Sequence, residues 1–91
     1  MSHTKQEKTK LLARVRRIRG QVEALEQALE GERGCSEVLQ QIAAVRGAIS
    51  GLMAEVMEEH IEGHLLPAED EAKRRQIADE LIDVMRTYLL K

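Results

Sequence analysis

Phenylalanine and tryptophan are absent from this chain, and tyrosine, proline and cysteine occur once each in its 91 residues. So few rings leave little to fill a large core, and they exclude the aromatic platforms on which single-stranded nucleic acids stack. One cysteine cannot close an intrachain disulfide, which suits a reducing compartment. No apolar run approaches the ~20 residues that cross a membrane, and the polar, lysine-rich start has no signal-peptide core. The expected location is the cytoplasm. Also missing are a Ser/His/Asp set, a glycine-rich phosphate loop and paired acid–base carboxylates, so no enzyme is expected.

What the chain does have is Leu, Ile, Val and Ala on a helical period, with charged residues making up 33%. Leu11, Val15, Ile18, Val22, Leu25 and Leu29 recur in steps of four and three. They predict a helix over about residues 5–30, with Ser2 or Thr4 able to cap it. Gly31-Glu-Arg-Gly34 predicts a turn, because two glycines so close together end a helix and permit reversal. Val38, Ile42, Val45, Ile49, Leu52 and Val56 repeat the pattern, in a helix from Cys35 or Ser36 to about His64. Leu65-Leu-Pro67 stops that helix, since a residue before proline avoids helical geometry. Ala68-Glu-Asp-Glu71 starts a third, with Ile77, Leu81, Val84 and Tyr88 as its apolar stripe.

The expected fold is all-α, with three helices in one domain over residues 1–91: a long antiparallel hairpin and a short C-terminal helix. A heptad surface this extended on so small a chain predicts burial between chains, hence a homo-oligomer. Gly47 and Gly51 stand four apart beside Ala43, Ala44, Ala48 and Ser50. Glycine in mid-helix costs up to ~1 kcal/mol, so this patch predicts a tight helix–helix crossing.

Metal-ligating side chains are few. His60 and His64, at i and i+4, project from one helix face and can chelate a metal, although surface histidines also meet that spacing by chance. Cys35 starts the same helix, where the dipole favours thiolate, the metal-binding form; a lone cysteine is more often plain packing. A rise of 1.5 Å per residue sets Cys35 roughly 37 Å from His60, so one copy of the helix cannot join them. Two antiparallel copies can. The hairpin also sets His3 level with His60 and His64, so His3, Cys35, His60 and His64 would meet at one inter-subunit point. Three imidazoles and a thiolate suit Ni(II), Co(II), Zn(II) or Cu rather than Ca or Mg. Removal of Met1 would add the Ser2 amine, and five or six donors favour Co or Ni over tetrahedral Zn. The bland reading keeps His3 as a tail residue and Cys35 as packing. Glu58, Glu59 and Glu62 read as a solvated helix face, one of them able to orient an imidazole.

Charge is divided sharply along the chain. Lys5, Lys8, Lys10, Arg14, Arg16, Arg17 and Arg19 face only Glu7 in the first twenty residues, on a chain of net charge −2. Lys10, Arg14 and Arg17 form one stripe by spacing. A solvated face is the ordinary reading, but seven bases against one acid on an otherwise acidic chain point to an anionic surface, nucleic-acid phosphates above all. No helix-turn-helix or zinc-finger pattern is present.

These residues resemble the CsoR/RcnR family of small, all-helical, metal-responsive transcriptional repressors over essentially the full length. The matching stretches are Arg14-Val-Arg-Arg-Ile-Arg-Gly-Gln21, Cys35, Leu39-Gln-Gln-Ile-Ala-Ala-Val-Arg-Gly47, Gly51-Leu-Met53 and His60. The resemblance implies an antiparallel dimer that assembles to a dimer of dimers. It also implies double-stranded operator DNA held by basic residues of helices one and two: Lys10, Arg14, Arg16, Arg17, Arg19 and Arg46. Ligand at the inter-subunit site would release the DNA and derepress an efflux or detoxification operon. The set His3, Cys35, His60 and His64 is similar to the family's nickel/cobalt sensors; copper sensors carry cysteine where this chain has His64, and formaldehyde sensors carry proline where it has Ser2. Arg14–Glu26 and Gln40–Val56 look at least as much like formaldehyde sensors, and Gly34 and Gly63 stand where nickel/cobalt sensors tend to be acidic. The leading expectation is a Ni(II)/Co(II)-responsive repressor. The alternatives are a formaldehyde-responsive repressor acting through Cys35, and a metal-binding helical protein with no DNA role.

Overall fold

The computed structural model describes residues 4–89. Among them are three α-helices, α1 (Lys5–Glu30), α2 (Cys35–His60) and α3 (Glu71–Val84), and no strand. A π turn follows α2 at Ile61–Leu65 and another follows α3 at Met85–Leu89. No helix among the described residues is long and apolar enough to cross a membrane. The chain divides into two compact units, Met1–Ala54 and Glu55–Lys91.

In the first unit Thr4 caps α1; Ser2 lies outside the described residues. The Thr4 hydroxyl accepts from the Glu7 N–H at 3.1 Å, and the Glu7 carboxylate accepts from the Thr4 N–H at 2.8 Å, a reciprocal capping box. At the other end, the N–H of Arg33 bonds to the Ala28 carbonyl at 3.0 Å and that of Glu32 to Leu29 at 3.2 Å. These two bonds make a Schellman motif, whose left-handed position usually belongs to glycine. Here it belongs to Glu32, at φ 52°, while Gly31 sits at φ −81°. The reversal falls where the two glycines predict it, but neither supplies the unusual dihedral. A Cβ in the left-handed region costs ~1–2 kcal/mol, only partly offset by glycine's greater chain entropy. Glu32→Gly is therefore expected to stabilise the fold by about 1 kcal/mol, raising Tm by about 4–8 °C. Thermal melts at one fixed protein concentration check this; a lower Tm would refute it.

Arg14 of α1 lies against Gly51 of α2, and the two stand equally far along the chain from the turn. That register is an antiparallel hairpin. Each six-residue seam then divides by exposure, except that Val56, in the row of Ile42 and Ile49, is half-buried. Leu11, Ile18 and Leu25 of α1, with Val38, Val45 and Leu52 of α2, are half-buried, and Ala28 is buried. Val15, Val22 and Leu29, with Leu12, stay exposed on α1, as do Leu39, Ile42 and Ile49 on α2. The reason is geometric. Both rows of a heptad seam face the centre of a bundle, but one partner helix covers only one of them. On both helices the exposed row is turned about 50°, in the same sense, from the covered row. Because the helices run antiparallel, equal senses bring both exposed rows to one side of the hairpin, as a single apolar face.

The expected helix–helix crossing at the small residues takes another form. A Cβ at Gly51 would stand 2.9 Å from Arg14 Nη1, whereas one at Gly47 would meet nothing within 4 Å. What approaches closely is one guanidinium, at one of the two glycines.

In the second unit, Asp70 caps α3 by accepting from the Ala72 N–H at 3.2 Å. Ile77 is buried and Leu81 and Val84 are half-buried, but Tyr88, expected on the same stripe, is 67% exposed. The π turn at Met85–Leu89 adds residues per turn and shifts Tyr88 out of phase. A similar shift ends α2 at His60 rather than near His64, where the Leu66 N–H reaches back to the Ile61 carbonyl at 2.9 Å. Leu66 keeps helical dihedrals (φ −64°, ψ −40°), so the break comes from Pro67's missing N–H rather than from an extended residue before it. α3 packs against this π turn.

Candidate metal centre and nucleic-acid interface

His60 closes α2 and His64 lies in the π turn that follows, both half-buried. Their rings stand 4.9 Å apart between centroids, inclined at 39°. His60 Nδ1 is buried and has no hydrogen-bond partner. A buried ring nitrogen left so carries a desolvation cost of about 1–3 kcal/mol, which a coordinated cation would remove. Two adjacent imidazoles, one with an orphaned nitrogen, fit a borderline transition metal and not calcium or magnesium. They do not complete a site. Among the described residues no three His, Cys, Asp or Glu side chains gather as a cation would need. Cys35, a free exposed thiol, opens the helix that His60 closes, and His3 lies outside the described residues. Glu58 and Glu62 are exposed, as a solvated face should be, but Glu59 is half-buried beside His60.

The predicted basic residues fall on several faces of the hairpin. Lys10 and Arg17 are exposed on the side away from the apolar face. Arg14, between them in the stripe, is half-buried in the seam, with its guanidinium over Gly51. Gly51 belongs to the Lys10 and Arg17 side of α2, so Arg14 leaves the seam toward its two neighbours in the stripe. Arg16 points away from α2, and Arg19 leans toward the apolar side. Arg46 is exposed within the apolar face itself, in the row of Ile42 and Ile49. It stands apart from the other five.

Sequence reasoning missed two features of these sites. The π turn that carries His64 has no sequence signature beyond its own Gly63 and the Pro67 that follows. Gly51's role could be anticipated, because an uncompensated mid-helix glycine signals a close approach, but the partner could not.

Residues 7–87 match the model of a family described as metal-sensitive transcriptional repressor. An uncharacterized protein from the bioA 5′ region of Serratia marcescens is 57% identical over 90 residues, spanning 98% of this chain and 99% of that protein. The transcriptional repressor RcnR of Salmonella paratyphi B is 46% identical over 89 residues, spanning 98% and 99%. Among solved structures, a glutamate-to-histidine variant of the formaldehyde-responsive regulator FrmR from Salmonella enterica serovar Typhimurium superposes with a TM-score of 0.86. It is 49% identical and covers 97% of this chain and 100% of its own. The copper-sensing repressor CsoR with Cu(I), from Geobacillus thermodenitrificans, gives 0.87 at 30% identity, covering 97% and 92%. The chain belongs to the metal-sensitive transcriptional repressor family. It is a regulator, not an enzyme.

Proposed function

We propose that this chain is a cytoplasmic repressor, one domain over residues 1–91, that holds operator DNA when metal-free and releases it on binding Ni(II) or Co(II). The observation that carries this reading is the His60–His64 pair, two rings 4.9 Å apart with a buried, unpartnered Nδ1. An imidazole at position 64 suits nickel or cobalt, where a thiolate there would suit Cu(I). RcnR at 46% identity supports the same branch. Zn(II) and copper are the competitors.

The second copy of the chain enters through the apolar face. Its exposed Val15, Val22, Leu29, Leu39, Ile42 and Ile49 fit the same face of another hairpin, and an antiparallel match brings one chain's Cys35 to the histidines of the next. A dimer of dimers follows if pairs associate again. Lys10, Arg14 and Arg17, with Arg16 and Arg19 at the flanks, hold the phosphates of the duplex; Arg46, in the face that the second copy covers, is the member of the expected set that this assembly takes away from DNA. Bound metal supplies the link between His3, which leads into basic α1, and the end of α2, coupling metal and DNA free energies.

A mobility assay repeated with Ni, Co, Zn, Cu(I) and formaldehyde tests this. Loss of DNA binding with Ni or Co is expected, and equal affinity for metal-free and loaded protein would sink the proposal. In metal-free protein, log K should fall with log salt by ~0.9 for each phosphate neutralised. The second reading, a formaldehyde-responsive repressor, is favoured by the exposed free thiol of Cys35 and the likeness to FrmR. Relief by formaldehyde and not by metal selects it. Failure of the metal-free protein to bind duplex DNA at low salt would favour a metal-binding protein without a DNA role.

A further inference from the structure

The basic stripe contains one residue unlike its neighbours: Lys10 and Arg17 are exposed, while Arg14 is half-buried. Its stem lies on the α2-facing row with Leu11 and Ile18, and its Nη1 rests over Gly51, so close that a Cβ there would stand 2.9 Å away. Gly51 costs α2 helix propensity, and Gly47, one turn earlier, shows that small size alone brings no such neighbour. We propose that Gly51 is a positioning residue for DNA contact: its bare backbone is the berth that receives the Nη1 end of the Arg14 fork and aims it to the Lys10 and Arg17 side.

A guanidinium is planar, with donors in a fixed fork, so its value to a phosphate depends on orientation more than a lysine's does. Free in solution the side chain samples many rotamers, and ordering it on binding weakens affinity. Here the stem is held in the seam and the fork is held by α2, so the ordering precedes the encounter. A methyl at residue 51 collides with Nη1 and turns the fork out of line. It has little else to displace, because the colliding atom is the far end of a flexible side chain. The helix itself gains from alanine.

Gly51→Ala is therefore expected to move stability and DNA binding in opposite directions. Tm rises, while affinity for duplex DNA falls about tenfold, and the salt slope shrinks by ~0.9 for each phosphate no longer neutralised. Gly47→Ala, with open space around its new methyl, raises Tm and leaves affinity and slope at wild-type values. Arg14→Lys weakens binding too, and adding Gly51→Ala to it causes no further loss, since no fork remains to misdirect. This inference rests on the DNA-binding reading, and wild-type protein separates the two. If wild type fails to bind DNA, that reading falls; if wild type binds and Gly51→Ala binds equally, this inference falls. Equal losses from both glycine variants, or a full loss from Gly51→Ala on the Arg14→Lys background, also overturn it.

Discussion

In His60→Ala protein, saturating Ni(II) or Co(II) should leave DNA affinity within about twofold of the metal-free value, against a loss of ~5–150-fold in the wild type. His60 carries this expectation because its buried Nδ1 has no hydrogen-bond partner, so its ring brings an unused donor to the site. Alanine removes that donor and leaves His64 without the neighbouring ring with which the proposed chelate would form. The metal-free variant should bind DNA as wild type does, since His60 belongs to neither α1 nor the basic residues along it. Fluorescence anisotropy of labelled duplex, with and without metal, gives both values. A variant that still releases DNA fully with nickel would remove His60 from the site. Reciprocity supplies an internal check: DNA must weaken nickel binding to the wild type by the same factor that nickel weakens DNA binding. His64→Cys should shift the preference toward Cu(I), as a softer ligand replaces an imidazole.

Ile49→Glu is expected to leave the chain monomeric at micromolar concentration. Ile49 is 48% exposed in the single chain and lies in the row with Ile42, on the apolar face shared with α1. In a symmetric pair the substitution places one carboxylate from each chain in the covered interface, where Arg46 of the same row offsets only part of its desolvation. Each such charge costs several kcal/mol, and ~1.4 kcal/mol is tenfold in affinity, so association should weaken by more than about a thousandfold. Sedimentation equilibrium reads this directly. An unchanged mass would mean that another surface joins the chains. DNA affinity should fall with the mass, because assembly multiplies the basic patches that one duplex meets.

Much of the fold was legible because the helix signals are local. Steps of four and three marked α1 and α2, and α1 spans Lys5–Glu30 as that spacing predicts, with Thr4 rather than the alternative Ser2 as the observed cap. The paired glycines marked the turn. What the sequence could not reveal was phase. Whether Val15 or Ile18 meets α2 depends on the rotation of one helix about its axis, and both positions satisfy the same heptad. Likewise the π turns have no period of their own to read, yet one follows His60 and carries His64, and the other moves Tyr88 into solvent. At the candidate sites, side-chain type pointed to His60, His64 and the basic stripe, and the histidines do adjoin. The stripe misled in one respect, because charge alone does not distinguish an arginine in a seam from one in water. The meeting of Cys35 with the histidines concerns two chains and remains part of the proposal.

Only Ala28 and Ile77 are buried in the single chain among the described residues, one in each compact unit. If the proposed association supplies the missing interior, folding and assembly become one equilibrium governed by mass action. Its melting temperature should then climb with total protein concentration. In a cell, newly made copies that find no mate would expose their apolar face and be the first taken by proteases. The abundance of the regulator would be set partly by its own synthesis rate, with dilution after division eroding the pool faster than linearly.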